Sequence, residues 1–266
     1  MKNFLFYLGN ARAGSTWLYG ELNARGDCDL GHIKEHFLFQ DFTLSPNFDK
    51  KQYFSFYQDL VKSENILLSG DMTPGNAYAT KDQLIWYKNK MEEHNFNVLP
   101  VMTLRDPIEQ IVSLTKLNTV VNNAISNGEA SFDDPRTFVS ILNSTATEIT
   151  TDKIFSHGLP PFEEQVVSWK TTVENCEEIF GKIHINFYEK YFTEPSMKKM
   201  FNYLELPYKI MNFSQKVFTF GSDNNLSDSE RQVIYEKYPF YKENYQFALD
   251  RFGKDFIESI WWTPNK

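Results

Sequence analysis

The chain has 266 residues, enough for one large domain or two small ones, and no long Pro/Gly/Ser linker divides it, so a single domain over residues 1–266 is expected. Hydrophobic residues make up 41% and aromatic residues 16%, with 24 Phe, 14 Tyr and 5 Trp, which supplies a core and excludes a disordered chain. The net charge of −8 argues against a partner made of nucleic acid or anionic lipid, while leaving room for a local basic pocket.

An apolar run, Phe4-Leu5-Phe6-Tyr7-Leu8, reads as a buried strand. It leads into Gly9-Asn10-Ala11-Arg12-Ala13-Gly14-Ser15-Thr16-Trp17, a glycine-containing turn followed by a helix over about residues 14–25. The first N–H groups of a helix lack intrahelical partners and carry the positive end of the dipole, so such a turn suits a phosphate. The spacing is that of a Walker A loop, but Ser15 stands where the lysine would be, which points away from an ordinary ATPase or GTPase. Arg12 adds a planar fork of donors for phosphate or sulfate.

Asn65 to Ser69 is a short apolar run ending at Gly70-Asp71, read as a second strand. Thr80-Lys81-Asp82-Gln83 has the form of a capping box and predicts a helix to about residue 93. Phe96 to Leu104 predicts a third strand, broken at Arg105-Asp106-Pro107, where Asp106 suits a cap and Pro107 the first helical position. Ile108, Ile111, Val112 and Thr115 then mark a helical face. Residues 119–160, rich in Asn, Ser, Thr and Asp with several Gly and Pro, read as an irregular insertion, either a substrate-covering segment or a passive surface loop. A helix over 162–180, a strand over 182–188 and a helix over 195–204 follow. A second capping box at Ser227 starts a helix to about Tyr238, and a last helix spans 240–252.

Alternating strands and helices predict an α/β fold with a mainly parallel central sheet covered by helices on both faces. Ligands in such folds bind beyond the carboxyl ends of the strands, where the turns after Leu8 and Leu104 fall. A strand that delivers Arg105 to a sheet edge, with Ser113 two turns into the next helix, makes a second anion cradle; the alternative is a surface ion pair between Arg105 and Asp106.

These segments together resemble the PAPS-dependent sulfotransferase family, in particular its carbohydrate-type and bacterial members (PAPS is 3′-phosphoadenosine 5′-phosphosulfate). Gly9 to Thr16 is similar to the family's Gly-x-x-Lys-x-Gly-Thr-Thr loop for the 5′-phosphosulfate, and Arg105-Asp106-Pro107 with Ser113 to its 3′-phosphate motif. Lys34-Glu35-His36-Phe37-Leu38-Phe39 resembles the Lys-Glu-x-x-Phe-Phe stretch, Gly70 to Pro74 the Glu-Lys-Thr-Pro segment, and Tyr188-Glu189 a late Tyr-Glu pair. The chain departs from the pattern at Arg12 and at Met72, each in place of a lysine.

The resemblance implies a P-loop-like fold and sulfuryl transfer from PAPS to a hydroxyl or amine of a carbohydrate or small-molecule acceptor. It implies donor binding by Arg12, Ala13, Gly14, Ser15, Thr16, Trp17, Arg105, Ser113 and Lys216, and catalysis by Glu35 as base with Arg12 stabilising the leaving group. His36 and His32 are rival bases, and His157 is a remoter one. A nucleotide kinase or hydrolase, or a binding module without chemistry, are the alternatives. Cys28 and Cys176, without CxxC or Cys/His spacing, read as reduced, mostly buried thiols, and no metal is implied. No run approaches about eighteen apolar residues, and the start of the chain lacks a signal-peptide core. The expectation is a cytoplasmic protein without a membrane span; nothing in the pattern fixes its oligomeric state.

Overall fold

The computed structural model describes residues 1–39, 52–126, 167–214 and 226–264. The chain divides into two compact units, Met1–Leu104 with Thr171–Val217, and Arg105–Lys170 with Phe218–Lys266.

In the first unit, β1 (Lys2–Tyr7) is followed by α1 (Ser15–Asn23), α2 (Tyr53–Leu60), β2 (Leu68–Asp71), a 3-10 turn (Pro74–Tyr78), α3 (Lys81–Glu93) and β3 (Phe96–Leu104). Among the described residues the four strands form one parallel sheet in the order β2-β1-β3-β4, where β4 is His184–Phe187. Chain order reverses at β1, since β2 lies on one side of it and β3 on the other. The crevice beyond the carboxyl ends of β1 and β3 is thus the switch point, where ligands bind in open α/β sheets.

Side-chain alternation along β1 sends successive residues to opposite faces. Leu5 and Tyr7 join Trp17, Leu18 and Leu22 of α1 and Met197, Met200 and Phe201 in one buried cluster. Phe4 and Phe6 pack against Tyr57 of α2, Tyr87 of α3 and Phe96. Both faces are covered, which accounts for the unbroken apolar run.

The chain continues through α4 (Pro107–Ser126), α5 (Trp169–Phe180), β4, a short helix α6 (Tyr188–Tyr191) and α7 (Glu194–Tyr203), then α8 (Asp228–Lys237), α9 (Pro239–Phe252) and α10 (Lys254–Ile260). In the second unit Ile108, Ile111 and Val112 of α4 bury against Ile234, Tyr238 and Tyr241. The expected helical face of α4 is therefore its core face.

Both capping boxes form, at Thr80 with Gln83 and at Ser227 with Glu230. The second strand is displaced from its expected place. It runs Leu68–Asp71, and Leu67 is 41% exposed. Gly70, read as a terminator, lies inside the strand because a Cβ there would come within 2.7 Å of the Leu5 carbonyl oxygen. Cys28 and Cys176 are free, buried thiols. Among the described residues, no helix is long and apolar enough to cross a membrane.

Candidate functional site

Beyond Tyr7 the β1 ladder continues for one residue, Leu8 N–H donating to Val101 O at 2.8 Å. The chain then turns. Arg12 (φ 67°) and Gly14 (φ 87°) both lie in the left-handed region. An arginine there is uncommon and strained, as backbones at functional sites often are. Gly14 occupies the cap position of α1, with no side-chain capping bond and no acidic residue in the first turn. The first intrahelical bond runs from Leu18 N–H to Gly14 O at 3.2 Å. The N–H groups of Ser15, Thr16 and Trp17 precede it and form the helix start that a phosphate accepts from. Gly14 meets two demands: its φ, and the ring of Tyr191, which would lie 3.2 Å from a Cβ.

The other loop residues divide by burial. Arg12 and Thr16 are half-buried, whereas Ala13 and Ser15 are buried. Trp17 serves the core with its ring, which packs on Tyr191, Phe192 and Phe213 and donates from Nε1 to Asn212 O at 3.3 Å. Its contribution to a ligand is the backbone N–H.

A second segment lies along the exit of β2. Met72 N–H donates to Lys34 O at 3.3 Å, and His36 N–H donates to Thr73 Oγ1 at 2.8 Å. Glu35 lies between these two tied residues and is ion-paired with Lys34, its side chain 32% exposed. Glu35 does not sit in an aromatic, desolvated setting. The ring of Phe39 packs on Phe6 and Tyr87, and the carboxylate has a cation for its neighbour.

Tyr7, the last residue of β1, reaches back to the first of these segments. Its hydroxyl donates to Ala13 O at 3.4 Å, under the loop. Burial drives its pKa upward, and the nearby charge of Glu35 adds to that shift. The loop is thus tied at Ala13 to a protonated phenol.

The histidines separate. The His36 ring is buried among Tyr53, Phe56 and Tyr57, and burial lowers its pKa, so it is a neutral member of an aromatic cluster. That is the surrounding of a core histidine, not of a base open to an acceptor. His32 is exposed, its ring 5.8 Å from that of Phe56. Lys216, His157 and residues 127–160 of the expected insertion lie outside the described residues; residues 119–126 belong to α4.

Met72 is fully buried in the cluster with Leu5, Tyr7 and Trp17. Position 72 faces the core, so a lysine there would be a buried cation at substantial cost. Asp71, at the end of the strand beside β1, stands where a magnesium-binding carboxylate would be sought. It is fully buried, with Oδ1 accepting from Thr73 N–H (2.9 Å) and Thr73 Oγ1 (2.5 Å) and Oδ2 from Tyr53 (2.9 Å). Its oxygens are committed to the protein. Among the described residues no group of three or more His, Cys, Asp or Glu is placed to hold a metal ion.

In the second unit, Arg105 is half-buried and follows directly on the last residue of β3. Asp106 is not one half of a surface ion pair. It is buried, caps α4 through Ile108 N–H (2.8 Å) and Glu109 N–H (3.3 Å), and accepts from Tyr245 (2.9 Å) and Trp262 N–H (2.9 Å). Burial is the main cause that raises its pKa. Ser113 is buried, and so is Lys116, one turn further along α4. Lys116 is a polar group that the sequence reading passed over; its i, i+3 spacing from Ser113 was the signal.

No protein-family model matches the chain, and no curated protein matches it.

Proposed function

We propose that the chain is a sulfotransferase of P-loop-like fold, moving a sulfuryl group from PAPS to a hydroxyl or amine of a carbohydrate or small-molecule acceptor. The observation that carries this reading is the uncapped start of α1 at the sheet's switch point, with Arg12 in the turn before it. A helix start of this kind binds an anion. Glu35 is assigned as the acceptor for a proton on the strength of the motif resemblance.

PAPS, when bound, supplies a sulfuryl group on an activated phosphate. The N–H groups of Ser15, Thr16 and Trp17 hold the 5′-phosphosulfate, while Arg105, Ser113 and Lys216 are assigned to the 3′-phosphate on the strength of the motif resemblance. The acceptor oxygen bonds sulfur as the sulfur–oxygen bond to the phosphate breaks, leaving 3′,5′-adenosine bisphosphate. Glu35 takes the acceptor's proton, and Arg12 offsets the charge that builds on the departing oxygen.

The test has two arms. 3′,5′-Adenosine bisphosphate raises the melting temperature and ADP does so far less; equal shifts sink the assignment of a 3′-phosphate site. Labelled sulfate transfer over sugars, phenols, lipids and peptides gives a product that Glu35→Gln and Arg12→Ala abolish. Binding without transfer to any acceptor identifies instead a module that keeps the cradle without the chemistry, a reading the Lys34–Glu35 pair favours. Magnesium-dependent ATP turnover identifies a kinase or hydrolase.

A further inference from the structure

We infer that Thr73, backed by the buried carboxylate of Asp71, is a positioning residue that clamps the Lys34–Glu35–His36 backbone against the exit of β2 and so places Glu35. The inference rests on the proposed role of Glu35 as base.

The hydrogen bonds determine their own directions. The His36 N–H can only donate, and it donates to Thr73 Oγ1 at 2.8 Å. A hydroxyl has one proton, so Thr73 directs it to Asp71 Oδ1, 2.5 Å away. That oxygen also takes Thr73 N–H at 2.9 Å. Tyr53 donates to Oδ2 at 2.9 Å, and its hydroxyl lies 3.0 Å from that of Tyr87. Burial and the Asp71 charge both raise the pKa of Tyr53 and Tyr87, so these phenols keep their protons. Met72 N–H to Lys34 O completes a two-point attachment, with residue 35 between the points.

Two observations separate this from an ordinary turn. A fully buried aspartate is an expensive way to hold a turn together, and it persists only where every oxygen is used. Immediately after the clamp, Phe37 has φ 50°, a conformation a bulky residue adopts only where its surroundings impose it. The chain is held at 34–36 and strained at 37, so the geometry of this segment is over-determined around Glu35.

Three variants of the full chain test the clamp: Thr73→Val, Thr73→Ala and Thr73→Ser. Hydrogen exchange of the peptide containing His36 is read together with kcat and KM for PAPS. Val and Ala are expected to speed exchange at His36 more than tenfold, leave β1 and β3 protected, and lower kcat about 100-fold with KM for PAPS within about twofold. Ser restores both. Faster exchange with unchanged kcat overturns the positioning role even where transfer itself is established. Unchanged exchange overturns the clamp. Should the wild-type chain transfer no sulfate, the functional reading falls, and the exchange arm alone decides whether Thr73 holds this segment. If Val unfolds the chain, Ala, which adds no bulk beside the carboxylate, decides.

Discussion

Two buried aspartates leave the sheet by nearly the same local design and hold different things. Asp71 ends β2 and Asp106 follows β3 by two residues. Each accepts on Oδ1 from the amide two residues on, at 2.9 Å from Thr73 and 2.8 Å from Ile108. Each accepts a tyrosine hydroxyl at 2.9 Å, from Tyr53 and Tyr245. Asp106 then starts a twenty-residue helix and fastens Trp262 near the end of the described chain. Asp71 caps no α-helix; it orients Thr73, which holds His36. One carboxylate organises the fold of its unit, and the other organises a segment with candidate chemistry. A strand-exit aspartate is therefore not a functional signal in itself; what its neighbours hold decides its role.

The largest expected effect breaks the structural member of the pair. Asp106→Ala leaves the Tyr245 hydroxyl and the N–H groups of Ile108 and Trp262 without their acceptor and removes a helix cap. A loss of about 3–5 kcal/mol is expected from these terms, read from urea unfolding. A loss under about 1 kcal/mol would show that the second unit does not depend on this hub.

Asp71→Asn sharpens the contrast. The amide keeps an oxygen for the two Thr73 donors but meets the Tyr53 hydroxyl with N–H instead of an acceptor, so about 1–3 kcal/mol is at stake. Stability falls less than in Asp106→Ala, while sulfate transfer falls more than stability explains. Equal losses of stability and no separate effect on transfer would erase the distinction between the two aspartates.

Gly14→Ala comes next. The φ of 87° costs a side chain about 1–2 kcal/mol, and the Tyr191 ring crowds the new methyl at 3.2 Å. The melting temperature is expected to fall, and the stabilisation by 3′,5′-adenosine bisphosphate to shrink with it. Full retention of ligand stabilisation would detach the helix start from anion binding.

Parts of this molecule governed by near neighbours were legible in the sequence. The capping boxes at Thr80 and Ser227, strand β3 and the Asp106 cap with Pro107 all rest on residues a few positions apart, and all stand in the structure. The loop at 9–17 was legible for the same reason. Strand β2 was misplaced because Ile66 and Leu67 carry the apolarity while Ser69, Gly70 and Asp71 carry the pairing with β1, which no local pattern reveals. Helix α2 (Tyr53–Leu60), the 3-10 turn at Pro74–Tyr78 and α10 (Lys254–Ile260) were not anticipated. The clamp on residues 34–36 joins positions 37 apart in sequence and depends on that same register. Tyr7 likewise read as a strand residue, and only the turn folded over it places its hydroxyl at Ala13.

The smallest effect separates the two regions by the sign of their response to acid. His36 is buried neutral, and its pKa lies below the ordinary value because burial penalises the imidazolium. Its contribution is intact above about pH 6.5, the ordinary histidine value, and is lost as pH falls toward the folded pKa, because the unfolded chain binds the proton first. Asp106 is raised by burial, so its sign is reversed. Its contribution is full below about pH 3.9, the ordinary aspartate value, and is lost as pH rises through the folded pKa. Urea unfolding at a series of pH values, with His36→Phe and Asp106→Asn beside the wild type, reads both signs. Between pH 7.5 and 5 the wild type loses stability relative to His36→Phe, which keeps a ring in the aromatic cluster and has nothing to protonate. As pH falls toward about 3.9 the wild type gains relative to Asp106→Asn. His184, half-buried with a lowered pKa, titrates with the sign of His36 in all three chains and cancels from the differences. Parallel curves for wild type and His36→Phe would mean that the imidazole takes up a proton as readily in the folded chain as in the unfolded one, and the case for His36 as the acceptor base would reopen.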